Sequence, residues 1–249
     1  MTPDVVIDVG NTRIKWGRCR DRAVVAAASL EPDDPVGWKE QREHWRLDPG
    51  ARYVVTGVHP QRRERLANWL REHGDEVRVV KDVRELPLVV QVERPEQVGT
   101  DRLFDAVAAN SRRHAGRGAV VIDAGSAVTV DWVAADGAFA GGTIFPGVRL
   151  MALALHQYTA QLPLIDTPHE LPAVPGASTR TAMAAGIAWA TAGGIKAIVE
   201  QYTRQSTVAP HVFLTGGDGP LLHAALGASV ELWPNLTLEG IRLTAESLP

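Results

Sequence analysis

Val5-Val6-Ile7-Asp8-Val9-Gly10 recurs in the second half of this 249-residue chain as Val120-Val121-Ile122-Asp123-Ala124-Gly125, with five of six positions identical. Each copy is a short apolar, β-branched run that reads as a strand. Each ends in Asp-x-Gly. There a glycine lets the backbone come close to a ligand and turn its N–H groups toward it. Such a repeat points to two related halves, each starting from a strand with a carboxylate at its end. Arg112 to Gly118 reads as the linker, which divides the chain into residues 1–115 and 116–249.

The pattern between the repeats is α/β. Ile14 to Trp16, Ala51 to Val58 and Glu76 to Val80 read as strands, and Arg62 to Glu72 has helical spacing. A helix is predicted to start near Thr100, with Thr100 or Asp101 as its cap. In the second half, Val128 to Val133, Phe139 to Ile144 and Val212 to Leu214 read as strands. Val148 to Thr159, Thr181 to Tyr202 and Leu236 to Ser247 read as helices, and Pro163 to Pro175 as a loop. The apolar stretch from Thr181 to Val199 contains Lys196 and several glycines, so it reads as a buried helix rather than a membrane span.

Composition narrows the function. Hydrophobic residues make up 45% of the chain, enough for a core and too many for disorder. The 26 basic and 29 acidic residues give a net charge of −3, which offers no general field for nucleic acid or anionic lipid. Any anion must be held by local geometry. The single cysteine, Cys19, excludes an internal disulfide and a cysteine-based zinc site. Residues 1–4 do not open a signal peptide, so the expected location is the cytoplasm. The scattered tryptophans read as core residues.

Four motifs carry chemistry. In Asp8-Val9-Gly10-Asn11-Thr12, Asn11 and Thr12 add polar groups, Lys15 adds a cation, and Asp8 can bind Mg²⁺ directly or through water. The plainer reading is an Asx turn in a hairpin. In Asp123-Ala124-Gly125-Ser126-Ala127-Val128-Thr129, hydroxyls stand beside a second carboxylate. Here the plainer reading is a hairpin with Thr129 and Asp131 facing solvent. Thr215-Gly216-Gly217-Asp218-Gly219 joins a strand to a helix, where amides favour anions and three glycines allow close packing on a ligand such as adenosine. Gly99-Thr100-Asp101-Arg102 opens a helix. Its guanidinium suits a carboxylate substrate, and its carboxylate can accept a proton from an attacking hydroxyl. A cap with a surface ion pair is the bland alternative. If the halves face each other, both Asp-x-Gly turns converge on one cleft suited to a metal-bound triphosphate. The chain has no P-loop, G-x-G-x-x-G, His-Glu-x-x-His or G-x-S-x-G motif.

In order along nearly the whole chain, these motifs resemble type III pantothenate kinases. Asp8-x-Gly-Asn-Thr-x-x-Lys15 matches that family's phosphate motif, and Gly99-Thr-Asp-Arg102 matches its substrate motif. Asp123-x-Gly-Ser-Ala matches its second turn, with Ser126 in place of Thr. Gly141-Gly142-Thr-Ile-Phe-Pro146-Gly147, Thr159-Ala160-x-Leu162-Pro163, Ser178-Thr179 ahead of Gly186 and Thr215 to Gly219 also fit.

The resemblance implies two ribonuclease-H-like halves in an actin-like ATPase fold with a central nucleotide cleft. It implies transfer of the ATP γ-phosphate to the 4′-hydroxyl of pantothenate, the first step of coenzyme A synthesis. It further implies Mg²⁺, a monovalent cation (K⁺ or NH₄⁺), and a homodimer with the substrate site near its interface. Asp8, Val9, Gly10, Asn11, Thr12, Arg13, Ile14, Lys15 and Ser126 stand where that family holds ATP. Asp8 also takes the Mg²⁺ side and Asp123 the monovalent-cation side. Gly99, Thr100, Asp101, Arg102 and Thr179 stand at pantothenate contacts, with Arg102 on the carboxylate and Asp101 as proton acceptor. Val92 occupies a substrate-pocket position where the family often has Tyr, which leaves an apolar wall without a hydroxyl. Two other readings compete: another kinase or phosphatase of the same superfold, and a regulatory binding protein, since some relatives are named for virulence-gene expression. Loss of catalysis would damage Asp8, Asp101 or Asp123, and all three are intact.

Overall fold

The computed structural model describes residues 1–248 as two compact units. The first contains β1 (Val5–Val9), β2 (Ile14–Arg20), β3 (Ala23–Leu30), α1 (Pro35–His44), β4 (Arg52–Thr56), α2 (Pro60–Glu72), β5 (Glu76–Val79) and α3 (Thr100–Arg112). The second contains β6 (Ala119–Ala124), β7 (Ala127–Val133), β8 (Phe139–Pro146), α4 (Val148–Tyr158), α5 (Thr179–Arg204), β9 (His211–Thr215), α6 (Gly219–Leu226) and β10 (Val230–Leu232). The closing helix, α7 (Leu236–Ser247), returns to the first unit.

The repeat seen in the sequence is a repeat of topology. The first sheet runs β3-β2-β1-β4-β5 and the second, read from its other edge, β8-β7-β6-β9-β10. In both, the repeated strand is central, antiparallel to the strand that follows it and parallel to the next one in the sheet. A strand covered on both faces needs a continuous apolar run, and β1 is buried at every residue. On one face of the first sheet, Trp38, Leu66 and Leu70 of α1 and α2 pack on Ile7, Val9, Trp16 and Tyr53. Trp16 meets Tyr53 edge-on with ring centroids 5.9 Å apart. In the second unit, Ala192, Ile195 and Leu222 of α5 and α6 pack on Val120, Ile122, Val128 and Val130.

α7 corrects the domain boundary read from the sequence, which placed it in residues 116–249. Its apolar side, with Leu236, Leu238, Ile241 and Ala245, is buried on the first unit. Leu238 lies over Gly17 of β2, where a side chain would meet it at 3.2 Å. Burying each leucine or isoleucine contributes about 1.5–3 kcal/mol. The polar side is fixed as well. Arg242 pairs with Glu239 at 2.6 Å and Glu246 at 2.8 Å, and the Val24 N–H donates to Glu239 at 2.8 Å.

Two other expectations are met only in part. α5 is, among the described residues, the one helix long and apolar enough to cross a membrane, and 39% of its most apolar window is buried. It is therefore a half-covered helix, not a buried one. Of the tryptophans, Trp16 and Trp38 are core, whereas Trp189 on α5 is 41% exposed.

Candidate active site

The β1–β2 turn is closed by the Gly10 N–H, which donates to the Arg13 carbonyl at 3.0 Å. Asp8 sits between Lys15 on β2 and Thr56 on β4 and is only 7% exposed. Thr56 Oγ1 is buried there without a hydrogen-bond partner. A buried carboxylate beside an orphaned hydroxyl at the end of a parallel strand fits a hydrated Mg²⁺ carried by phosphates. The side chains of Val9 and Ile14 are fully buried, so these two predicted ATP contacts can act only through backbone atoms. Asn11, Thr12 and Arg13 are exposed, and Arg13 pairs with Glu31 at 2.6 Å. Sequence reasoning missed Arg62, whose Nη1 donates to the Asn11 carbonyl at 2.7 Å.

The substrate motif forms the entry to α3. The helix begins on Thr100, which leaves Asp101 in the first turn rather than at the cap. There its charge favours the helix dipole. Asp101 is half-buried, and its Oδ1 accepts the Arg102 N–H at 2.8 Å. At Gly99 a side chain would come within 2.6 Å of Asp101 Oδ1 and push that carboxylate aside. Thr100 Oγ1 is buried without a partner and lines a cavity of about 730 Å³ walled by Leu88, Val90, Val98 and Leu103. Val92 lies half-buried in the bend before the 3-10 turn Pro95–Gln97. One turn along α3, Asp105 is 1% exposed, a buried carboxylate that periodicity alone did not single out.

In the second unit three motifs meet. Gly216, with φ +94°, packs flat on Ala124 and the Asp123 carboxylate, and any side chain would come within 2.4 Å of both. The Asp218 N–H donates to the Ala124 carbonyl at 2.9 Å, and the Gly147 N–H to the Ser126 carbonyl at 3.0 Å. Ser126 itself is exposed. Burial, and then the charge of Asp123, hold the Asp218 carboxyl above the usual carboxylate range. A half-buried carboxylate held beside a second one suits a bound cation. Asp218 stood in plain view in the glycine loop, but only the fold puts its charge beside Asp123.

β6 and β7 do form a hairpin, but the plainer reading's solvent-facing Asp131 is corrected. Asp131 is 1% exposed, and Thr129 Oγ1 and Thr143 Oγ1 are buried without partners. Gly142 has no room for a side chain, since a Cβ would fall 2.1 Å from Asp131 Oδ1. Thr179 is the exposed first residue of α5, after the Ser178 cap that accepts the Thr181 N–H at 3.2 Å. It lies at an apolar groove between α4 and α5. Among the described residues no three His, Cys, Asp or Glu side chains form a metal cluster.

Residues 5–201 match the family model of type III pantothenate kinase, a span that includes every motif described above except Thr215 to Gly219. The chain belongs to the type III pantothenate kinase family. It is therefore an enzyme, a kinase that phosphorylates pantothenate in coenzyme A biosynthesis. The type III pantothenate kinase of Akkermansia muciniphila is 33% identical over 247 residues, 97% of each chain. Among solved structures, a Campylobacter jejuni protein described as a Baf family transcriptional activator superposes with TM-score 0.63 at 19% identity, covering 97% of each chain. A Sinorhizobium meliloti protein described as a 2-dehydro-3-deoxygalactonokinase superposes with TM-score 0.59 at 13% identity, covering 98% of this chain and 97% of the other. At these identities the superpositions establish the fold alone, an α/β chain with two sheets of one topology.

Proposed function

We propose that this chain transfers the γ-phosphoryl group of ATP to the 4′-hydroxyl of pantothenate, with Asp101 as base. The observation that carries the reading is the placement of Asp8 and Asp123. Each is the next-to-last residue of the central strand of its sheet, each has a glycine two residues on at the turn, and the two sheets share one topology. In open α/β sheets, ligands bind beyond the carboxyl ends of parallel strands.

The Asp8–Lys15 turn offers backbone N–H groups and the Lys15 cation to the phosphates, and Ser126 offers its hydroxyl. Mg²⁺, held through Asp8 and the phosphates, would screen charge during in-line transfer. A monovalent cation, K⁺ or NH₄⁺, would lie at Asp123, and Asp218 adds a second carboxylate there. Arg102 takes the pantothenate carboxylate, and Val92 gives the pocket an apolar wall. Asp101 accepts the hydroxyl proton as oxygen bonds to the γ-phosphorus and the bond to the β-phosphate oxygen breaks, releasing ADP.

We further propose a homodimer in the cytoplasm, with no nucleic-acid or membrane partner. The groove between α4 and α5, about 820 Å³ and lined by Leu155, Tyr158, Leu162, Ala182, Gly186 and Ala190, supports a second copy as its occupant. Thr179 lies along the same groove, in keeping with a substrate site near the dimer interface.

A coupled assay with ATP, Mg²⁺, K⁺ and a panel of hydroxyl acceptors tests the reading. Strong ADP release is expected with pantothenate alone. Equal turnover with sugars would refute it.

A further inference from the structure

The phosphate turn is held from outside by residues that belong to none of the matched motifs. The β4–α2 connection lies directly on it. Gly57, with φ +137°, approaches β1 so closely that a side chain would come within 2.3 Å of the Val9 carbonyl. Arg63 fixes that connection by donating from Nη1 to the buried Gly57 carbonyl at 3.1 Å. The first turn of α2 is thereby set beside the tip of the β1–β2 hairpin. From there Arg62 reaches across and donates from Nη1 to the Asn11 carbonyl at 2.7 Å.

Arg62 is itself held in place. Its Nη2 pairs with Asp33 at 3.3 Å, and the other oxygen of Asp33 pairs with Arg65 at 2.9 Å. The Arg62 side chain is partly buried, whereas Asn11 and Thr12 are exposed at the tip of the turn. A planar trans peptide points its carbonyl and its N–H in opposite directions. Fixing the Asn11 carbonyl toward α2 therefore fixes the Thr12 N–H away from it. A freed peptide could rotate and turn its carbonyl toward the ligand side, where an oxygen repels phosphate instead of donating to it.

We propose that Arg62 is a positioning residue for ATP. By holding the Asn11 carbonyl outward it sets the Thr12 amide, and through that the phosphate-binding form of the Asp8–Lys15 turn. Asp33 is the second member of the clamp. This inference rests on the reading of that turn as the phosphate site.

Steady-state kinetics on Arg62→Ala, Asp33→Asn, their double variant and Gly10→Ala separate the possibilities. Loss of a charge-assisted hydrogen bond is expected to raise the KM for ATP about tenfold in Arg62→Ala. The KM for pantothenate and kcat should stay within about twofold of the parent. Asp33→Asn should raise the KM for ATP less, and should add nothing in the Arg62→Ala background. An unchanged KM for ATP in Arg62→Ala overturns the inference. So does a uniform fall in kcat with a lowered Tm, the mark of a merely structural role. Additive effects in the double variant also overturn it. Gly10→Ala reports on the turn itself, because its added carbon would press on the Arg13 carbonyl at 3.0 Å. If Gly10→Ala raises the KM for ATP and Arg62→Ala does not, the Arg62 inference alone fails. If neither does, the phosphate-turn reading fails with it.

Discussion

Gly240 of α7 rests against Phe104 of α3 so closely that a Cβ on the glycine would lie 1.8 Å from the phenylalanine carbonyl oxygen. Both partners at this contact are helix backbone, so no side-chain rotation relieves a larger residue. Gly240→Ala should therefore destabilise the protein by about 3 kcal/mol or more, although alanine is the better helix former. Thermal unfolding measures this. A Tm within about 2 °C of the parent would show that the two helices can move apart freely.

Asp101→Ala should separate binding from chemistry. ATP affinity, measured calorimetrically, is expected to stay near the parent value. Transfer to pantothenate should fall by about 10²- to 10⁴-fold, the usual contribution of a positioned base. Near-normal turnover would remove Asp101 from its role.

Asp218 predicts a coupling between pH, cations and stability. Its pKa in the folded chain is raised, first by burial and then by the Asp123 charge. The folded state therefore binds this proton more tightly than the unfolded state. That advantage is complete at acid pH and is lost as pH rises through the ordinary carboxylate pKa and then the raised one. At neutral pH the ionised Asp218 is a cost. Asp218→Asn should raise Tm at pH 7 in choline buffer, with the gain shrinking near pH ~4. K⁺ should raise the Tm of the parent chain and do so less in Asp218→Asn. A variant less stable than the parent at pH 7 without K⁺ contradicts the argument.

Cys19 should be inert in the native protein. Burial, with smaller effects from nearby charges, pushes its thiol up to about 12. At pH 8 only about one thiol in 10⁴ is then ionised, and the thiolate is the reactive form. Iodoacetamide labelling followed by mass is expected to be slow until denaturant is added. Rapid labelling of the folded chain would show that the β2–β3 edge opens.

The legible parts of the fold are those fixed by local pattern. The closing helix read from the sequence spans Leu236–Ser247 in the structure, because its apolar spacing is local. The elements that escaped reading depend on their neighbours. β3 is rich in alanine, a poor strand former, and exists because it pairs with β2. α1 buries only Trp38, too little for a clear helical stripe, and β10 is three residues long. The unit to which α7 belongs was also hidden, since nothing local in Gly240 names Phe104 as its partner.

The same division holds for the site. Asp8, Asp101 and Asp123 were visible because a carboxylate beside a glycine turn or a helix start is a local pattern. Arg62 was not visible, because its partner is a backbone carbonyl 51 residues away. The plainer alternative for Asp131, a solvent-facing position, fails for a related reason. Alternation along a strand says which residues share a face, but not whether that face meets water.

The return of α7 to the first unit also sets an order of events during synthesis. A ribosome completes β1 to α3 first, yet the helix that lies on β1 and β2 and against Phe104 is made only after the whole second unit. Until it arrives, Leu238 and Ile241 are missing and the apolar surface meant for them stays open, a period in which a nascent chain is prone to aggregate. The half begun first is the half finished last.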